Sequence, residues 1–350
     1  MADIDIRVRG NTGRITLTRP EALNALSHEM CRTIDSTLKA WATDDVVKLV
    51  VIDAEGDKAF CAGGDLHDLY TTGRAGDYSY GRQFWSDEYR LNARIAEYTK
   101  PIVALMQGYT LGGGVGLGCH SAHRIVCETS QISLPECGIG LVPDVGGSLI
   151  LSRAPGRVGE YLGITAARMG PGDAIFAGFA DMFVPHAHWR EMLQALENTA
   201  QPDSLKQFAA PVPEGVLSDS QAEIDALFAG EDLRAILNAM RAEDTDIARQ
   251  ARTRMERNSP LAMACAIEII HRLRGGRATI RDALGLEYRF THRAMEKADF
   301  LEGIRAAVID KDRAPVWLHR LDEPPMLAVT QMLMPLGQDA LRFETEEIPT

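Results

Sequence analysis

Three glycine-rich clusters and two carboxylates hold the chemistry this sequence could do. The clusters are Lys58-Ala-Phe-Cys-Ala-Gly-Gly-Asp65, Gly108-Tyr-Thr-Leu-Gly-Gly-Gly-Val-Gly116, and Pro135-Glu136 followed by Pro143-Asp144 and Gly146-Gly147. The first two each follow a strand-like run. A strand that turns through glycine into a helix exposes backbone N–H groups where negative charge is stabilised. Glycine is required there because a side chain would block a ligand's approach. Two such loops can aim two N–H groups at one oxygen, which is how an oxyanion hole is made. The competing reading is that these glycines serve only tight turns and close helix packing. A phosphate loop fits poorly, since there is no GxxxxGK[ST] and no GxGxxG pattern.

Glu136 lies in an apolar run, Leu134-Pro-Glu-Cys-Gly-Ile-Gly-Leu-Val, and Asp144 follows in similar surroundings. A carboxylate in such a setting is costly unless it is paired or used. Two near each other push their pKa values apart, as acid and base roles require. The alternative is a pair of loop carboxylates that cap the next helix.

The elements that must position these groups follow from hydrophobic spacing. Ile4–Val8 and Arg14–Thr18 flank Asn11-Thr12-Gly13 and predict a hairpin. Met30, Ile34, Leu38 and Trp41 predict a helix capped by Ser27. The β-branched run over 46–52 predicts a buried strand. A helix over 83–98, a strand over 101–106 and a glycine-rich helix start at 112–114 repeat the cycle. Short strands over 124–127 and 131–134 precede short helices at 147–153, 159–165 and 173–177. Residues 200–220 read as the most linker-like stretch, and everything beyond them reads helical. Ser259-Pro260, Thr279-x-x-Asp282 and Asp299-x-x-Glu302 are expected helix starts. The expected organisation is a β/α core over 1–200 and a helical C-terminal region over 201–350, which covers the site or mediates assembly.

The chain has 350 residues, 45% hydrophobic and 25% charged, which is globular usage and excludes a disordered or fibrous protein. Its net charge of −12 argues against a general nucleic-acid partner. That total is uneven: residues 201–250 carry ten acids and four bases, and residues 251–320 carry nine acids and fourteen bases. The six cysteines have no CxxC pair, and none of the nine histidines forms a ligand set, so reduced thiols and no metal are expected. No signal-like N-terminus and no long apolar run is present, so a cytoplasmic protein without a membrane span is expected. The aromatics Tyr78, Tyr80, Phe84, Trp85 and Tyr89 read mainly as core packing, with part of the cluster a candidate pocket wall.

Together the motifs resemble the crotonase (enoyl-CoA hydratase/isomerase) superfamily, and most closely its 3-hydroxyisobutyryl-CoA hydrolase branch. The residues that carry the resemblance are Ala59-Phe-x-Ala-Gly-x-Asp65, Gly112–Gly114, Pro135-Glu136 with Pro143-Asp144, and Ile309-Asp-Lys-Asp-x-x-Pro-x-Trp317. It extends from about Ile15 to Trp317. The resemblance implies a ββα spiral core of the α/β class with a helical C-terminal region. It implies oxyanion-hole donors at Gly64 and Gly113, catalytic roles for Glu136 and Asp144, and a substrate-contacting Glu88. Gly113, Glu136 and Asp144 would also touch substrate, and Ala62 and Asp65 would contact CoA. The second catalytic glutamate of true hydratases falls at Gly116, which counts against hydration. The implied activity is hydrolysis of a small 3-hydroxyacyl-CoA, most closely 3-hydroxyisobutyryl-CoA in valine breakdown. CoA is then part of the substrate and no cofactor is needed. The alternatives are a hydratase or double-bond isomerase of the same superfamily, and a non-catalytic acyl-CoA-binding protein. From charge alone, Lys311 and Arg313 are candidates to meet the CoA phosphates. A homo-oligomer is left open.

Overall fold

A computed structural model describes residues 3–343. Residues 344–350, the end of the expected C-terminal region, and Met1-Ala2, the start of the N-terminal reading, lie outside the described residues.

Among the described residues, nine strands and fifteen α-helices follow in order. β1 (Ile4–Arg9) and β2 (Thr12–Leu17) form the expected hairpin, joined in antiparallel register with Ile6 opposite Ile15. α1 (His28–Thr43) begins at Ser27, whose hydroxyl accepts the Met30 N–H at 3.2 Å. β3 (Leu49–Ala54), β4 (Ala59–Cys61), α2 (Leu66–Arg74) and α3 (Ser79–Ala96) come next. β5 (Ile102–Met106), β6 (Tyr109–Leu111), α4 (Gly113–Gly118), β7 (His123–Val126) and β8 (Gln131–Ser133) complete the motif-bearing half. α5 (Gly147–Arg153), α6 (Val158–Thr165), α7 (Pro171–Phe176), β9 (Met182–Phe183) and α8 (Trp189–Thr199) follow. The rest carries seven helices, α9 (Leu217–Leu227), α10 (Leu233–Ala242), α11 (Asp246–Met255), α12 (Pro260–Leu273), α13 (Ile280–Lys297), α14 (Phe300–Ile304) and α15 (Met326–Met332), but residues 310–325, expected to be helical, form an irregular segment.

The strands form two sheets. The larger runs β1-β2-β3-β5-β7-β9, parallel after the hairpin. Both its faces are covered. Val50 and Ile52 of β3 face the main core, and Leu49 and Val51 face α8 through Trp189, Met192 and Leu196. That two-sided burial explains the unbroken apolar run of β3. The main core continues from this sheet through α5, α6, α12 and α13.

The small sheet, β4-β6-β8, positions the chemistry. Its three strands are parallel, so their C-terminal ends lie together. β4 delivers Gly63-Gly64, β6 delivers Gly112-Gly113, and β8 delivers Pro135-Glu136 to one edge. A crevice at the C-terminal ends of parallel strands is where open α/β sheets bind ligands.

Two local expectations are corrected. The third strand starts at Leu49 rather than Val46. Val46 lies in a turn, donating its N–H to Asp44 and accepting from the Asn11 amide, both at 2.8 Å. Asp299 precedes α14 but does not cap it. Its carboxylate instead accepts from the Ser259 hydroxyl at 2.6 Å and the Leu318 N–H at 2.7 Å, tying the last loop to the start of α12.

Candidate active site

A cavity of about 180 Å³ opens at that sheet edge, lined by Gly64, Gly113, Glu88, Glu136 and Asp144 among others. With Ala62, the structure therefore brings six of the sequence-derived candidates around one space.

The two glycine loops touch. A Cβ on Gly113 would lie 3.4 Å from the Gly64 nitrogen. Leu26 bonds the backbone on either side of Gly64, donating to the Gly63 carbonyl and accepting from the Asp65 N–H, each at 2.9 Å. This leaves the N–H of Gly64 facing away from that strand-like contact. Gly113 opens α4, so its N–H has no partner within the helix. Neither N–H donates to a protein group among the described residues.

The carboxylates close in from three elements. Glu136 starts a 3-10 turn after β8, and its Oε1 lies 2.7 Å from where a Cβ on Gly112 would be. Glu88 projects from α3, and its Oε1 lies 2.8 Å from the Cβ position of Gly113. A side chain at 112 or 113 would strike these acids and push them out of place, and Gly112 also has φ +47°, which favours glycine. Asp144 accepts a hydrogen bond from the Tyr89 hydroxyl at 2.7 Å. All three acids are almost fully buried. Glu88 Oε1 and Glu136 Oε2 have no hydrogen-bond partner in the protein, a costly condition that a bound water or ligand would relieve.

Burial dominates their titration. It pushes the carboxyls of Glu88 and Glu136 well above the usual range, and the Asp144 charge adds to both shifts. Asp144 is pushed up to about 7 by burial, against the opposing pull of the Tyr89 hydrogen bond. A fourth acid, Glu287 of α13, stands behind them, pushed up to about 8 by burial. Strongly perturbed carboxyls gathered in a cleft mark a functional site.

The walls are apolar. Phe84 and Trp85 come from the aromatic cluster, and Phe300 from α14. Ala62 also lines the cavity, whereas Asp65 caps α2 through the His67 N–H and pairs with Arg19. Asp65 instead borders a separate open groove of about 970 Å³, which also holds Arg19, Arg32 and Arg90. Lys311 and Arg313 sit outside the cavity lining, exposed on the loop after α14. Among the described residues no group of His, Cys, Asp or Glu side chains is placed to hold a metal ion.

Position 116 is closed. A Cβ there would fall 2.6 Å from Asn92 Nδ2 and 2.9 Å from the Val145 Cβ. The close packing of α3 on α4 explains why glycine stands at this point. Tyr89 and Glu287 were not foreseen as hydrogen-bonding supports of the site. The available signal was spacing: Glu287 stands on the apolar face of its helix with Leu284, Tyr288 and Thr291.

The nested glycine donors, buried acids and small apolar cavity define a crotonase-fold acyl-CoA enzyme, and comparison with known proteins agrees. The profile of the enoyl-CoA hydratase/isomerase family matches residues 12–332, and the chain belongs to that family. It is 34% identical to the mitochondrial 3-hydroxyisobutyryl-CoA hydrolase of Gallus gallus, over 98% of this chain and 91% of that one. It is 37% identical to the protein of the same name from Rattus norvegicus, over 90% and 84%. Among solved structures, an enoyl-CoA hydratase from Rhodobacter sphaeroides 2.4.1 superposes with a TM-score of 0.93 at 57% identity, over 98% of this chain and 100% of that one. A carnitinyl-CoA dehydratase from Mycobacterium thermoresistibile gives 0.93 at 37%, over 99% and 100%. The expected fold and the resemblance to the hydrolase branch are both borne out.

Proposed function

We propose that this enzyme hydrolyses a short 3-hydroxyacyl-CoA thioester, with 3-hydroxyisobutyryl-CoA the first substrate to try. The observation that carries the reading is the unpartnered Glu136 oxygen, buried in a small cavity beside the two free glycine N–H groups. The thioester carbonyl oxygen accepts from Gly64 and Gly113. As the carbon becomes tetrahedral, each donor stabilises the growing charge by roughly 3–4 kcal/mol. Glu136 either attacks that carbon, giving a mixed anhydride that water then hydrolyses, or takes a proton from the water that attacks it, and in both routes the proton water gives up ends on the departing sulfur. The C–S bond breaks and CoA leaves as the thiol. Asp144 and Glu88 bind the substrate's 3-hydroxyl. A site built to bond a hydroxyl rejects analogues without one more strongly than an apolar pocket senses a methyl group. A cavity of about 180 Å³ suits a short acyl chain.

Hydration is the second reading, favoured by the name of the 57% identical structure. The closed position 116 speaks against it, because a second glutamate from α4 would meet Asn92 and Val145.

The test is a thiol-reagent assay with 3-hydroxyisobutyryl-CoA beside an absorbance scan with crotonyl-CoA. Free CoA from the first and no absorbance change in the second is the expected result. A hydrated or isomerised CoA ester without CoA release would overturn the proposal. Glu136→Gln should lose at least a hundredfold in kcat. Asp144→Asn should lose turnover and, with it, preference for 3-hydroxybutyryl-CoA over butyryl-CoA.

A further inference from the structure

The backbone just after Asp144 is held in a costly shape. Val145 has φ +53° and Gly146 has φ +78°, two successive residues in the left-handed region. A β-branched residue is rarely found there, and it persists only where surrounding contacts impose it. Those contacts come from two distant parts of the chain. On one side, the half-buried His120 ring bonds the Val145 carbonyl at 2.8 Å, so Nε2 carries the hydrogen. On the other, fully buried Glu287 accepts the Gly146 N–H at 2.8 Å and the Ser148 N–H at 3.1 Å. The Ser148 hydroxyl also donates to Glu287. The same helix reaches Asp144 a second way, through Thr291, whose hydroxyl lies 3.4 Å from the Tyr89 oxygen and can donate to it while Tyr89 donates to Asp144.

We infer that Glu287 is a positioning residue, which together with His120 clamps the Val145-Gly146 turn and thereby aims the Asp144 carboxylate at the substrate. Glu287 makes no contact with the cavity itself; it acts through Asp144. Replacing Glu287 by an apolar residue would leave the buried Gly146 and Ser148 N–H groups without partners, which is costly. Here both carboxylate oxygens bond the turn that follows the site residue, Oε2 through Gly146 and Oε1 through Ser148. α13 is therefore part of the active-site machinery.

This inference rests on the hydrolase reading for the role of Asp144, and the experiment separates the two. Glu287→Gln keeps the shape but turns one acceptor into a donor, facing either the Gly146 N–H or the Ser148 groups. CoA release is measured for wild type, Glu287→Gln, Asp144→Asn and the double variant. The expected result is at least a tenfold loss of kcat in Glu287→Gln, with weakened preference for 3-hydroxybutyryl-CoA over butyryl-CoA. In the Asp144→Asn background the same change should cost less than threefold, because coupled residues are not additive. A full additional loss in that background, or a wild-type rate for Glu287→Gln, overturns the inference. If Glu287→Gln does not fold, Ser148→Ala carries the same cycle with a several-fold loss, since it removes one of the three bonds. A crystal structure of whichever variant folds reads the geometry without turnover: the Tyr89–Asp144 hydrogen bond, 2.7 Å here, should be broken or longer than 3.5 Å. An unmoved Asp144 also overturns the inference. Wild type that releases no CoA defeats the hydrolase reading, while the crystallographic distance still decides the clamp.

Discussion

Each acid in the cavity holds its proton more tightly in the folded protein than in the unfolded chain, and this has a cost with a definite sign. The Asp144 carboxyl rises from 3.8 to about 7 on folding. Below about pH 4 the group is protonated in both states and has no effect. Between 4 and 7 the unfolded chain releases the proton and the folded protein keeps it, so stability falls as pH rises. Above 7 the loss is complete, each tenfold gain in proton affinity on folding costing about 1.4 kcal/mol. Removing the charge should therefore stabilise the protein. Asp144→Asn, which keeps an acceptor for Tyr89, should raise Tm by a few degrees at pH 8 and leave it unchanged near pH 4. Calorimetry at the two values checks this, and an equal shift at both would mean that burial of charge is not the cause. Activity should move the other way. In the proposed reaction Asp144 binds the 3-hydroxyl as a carboxylate, so its ionisation should raise kcat/KM through the region of 7, and Glu136, whose carboxyl burial holds well above its usual range, should add a further rise with pH.

At the scale of elements, the approach of the two donor loops depends on α4 lying almost in contact with β4. A Cβ on Gly114 would lie 2.3 Å from the Cys61 carbonyl oxygen, an atom of the backbone that cannot swing aside. Gly114→Ala should cost about 1–3 kcal/mol by overpacking. It should also lower kcat more than Tm alone explains, since Gly113 moves with it. Denaturant unfolding alongside CoA-release kinetics checks both parts. These loops were legible in the sequence because strand, glycine turn and helix start are encoded within eight or nine residues. The hairpin, the Ser27 cap and the Thr279–Asp282 capping box were legible for the same reason. Glu287 was not, because its partners Gly146 and Ser148 lie about 140 positions away. No local pattern reports such a pairing; only an acid on an apolar helix face hints at it. Val46 misled because its β-branched neighbours outweighed Asp44 and Asn11, whose hydrogen bonds turn the chain there.

Across the whole molecule, the cavity lies where the parallel strands and the C-terminal helices share one core, so the helical region supplies Phe300 to its wall and Glu287 to its support. The same region sets the field that a polyanionic substrate meets. The chain as a whole repels such a ligand with a net charge of −12, and binding must rest on local groups. On the loop after α14, Arg305 ties up Glu302, Asp310 and Asp312. That one guanidinium offsets only part of the three acidic charges, but it holds the acids to itself, and Lys311 and Arg313 are exposed with no ion-pair partner among the described residues, each in the left-handed region at φ +57° and +55°. If they meet the CoA phosphates, replacing both with alanine should raise KM about three- to tenfold in dilute buffer and leave kcat unchanged. The difference should shrink with added salt, because the screening length falls from about 30 Å at 0.01 M to about 8 Å at 0.15 M. The same KM and the same salt dependence in variant and wild type would remove this loop from the phosphate site.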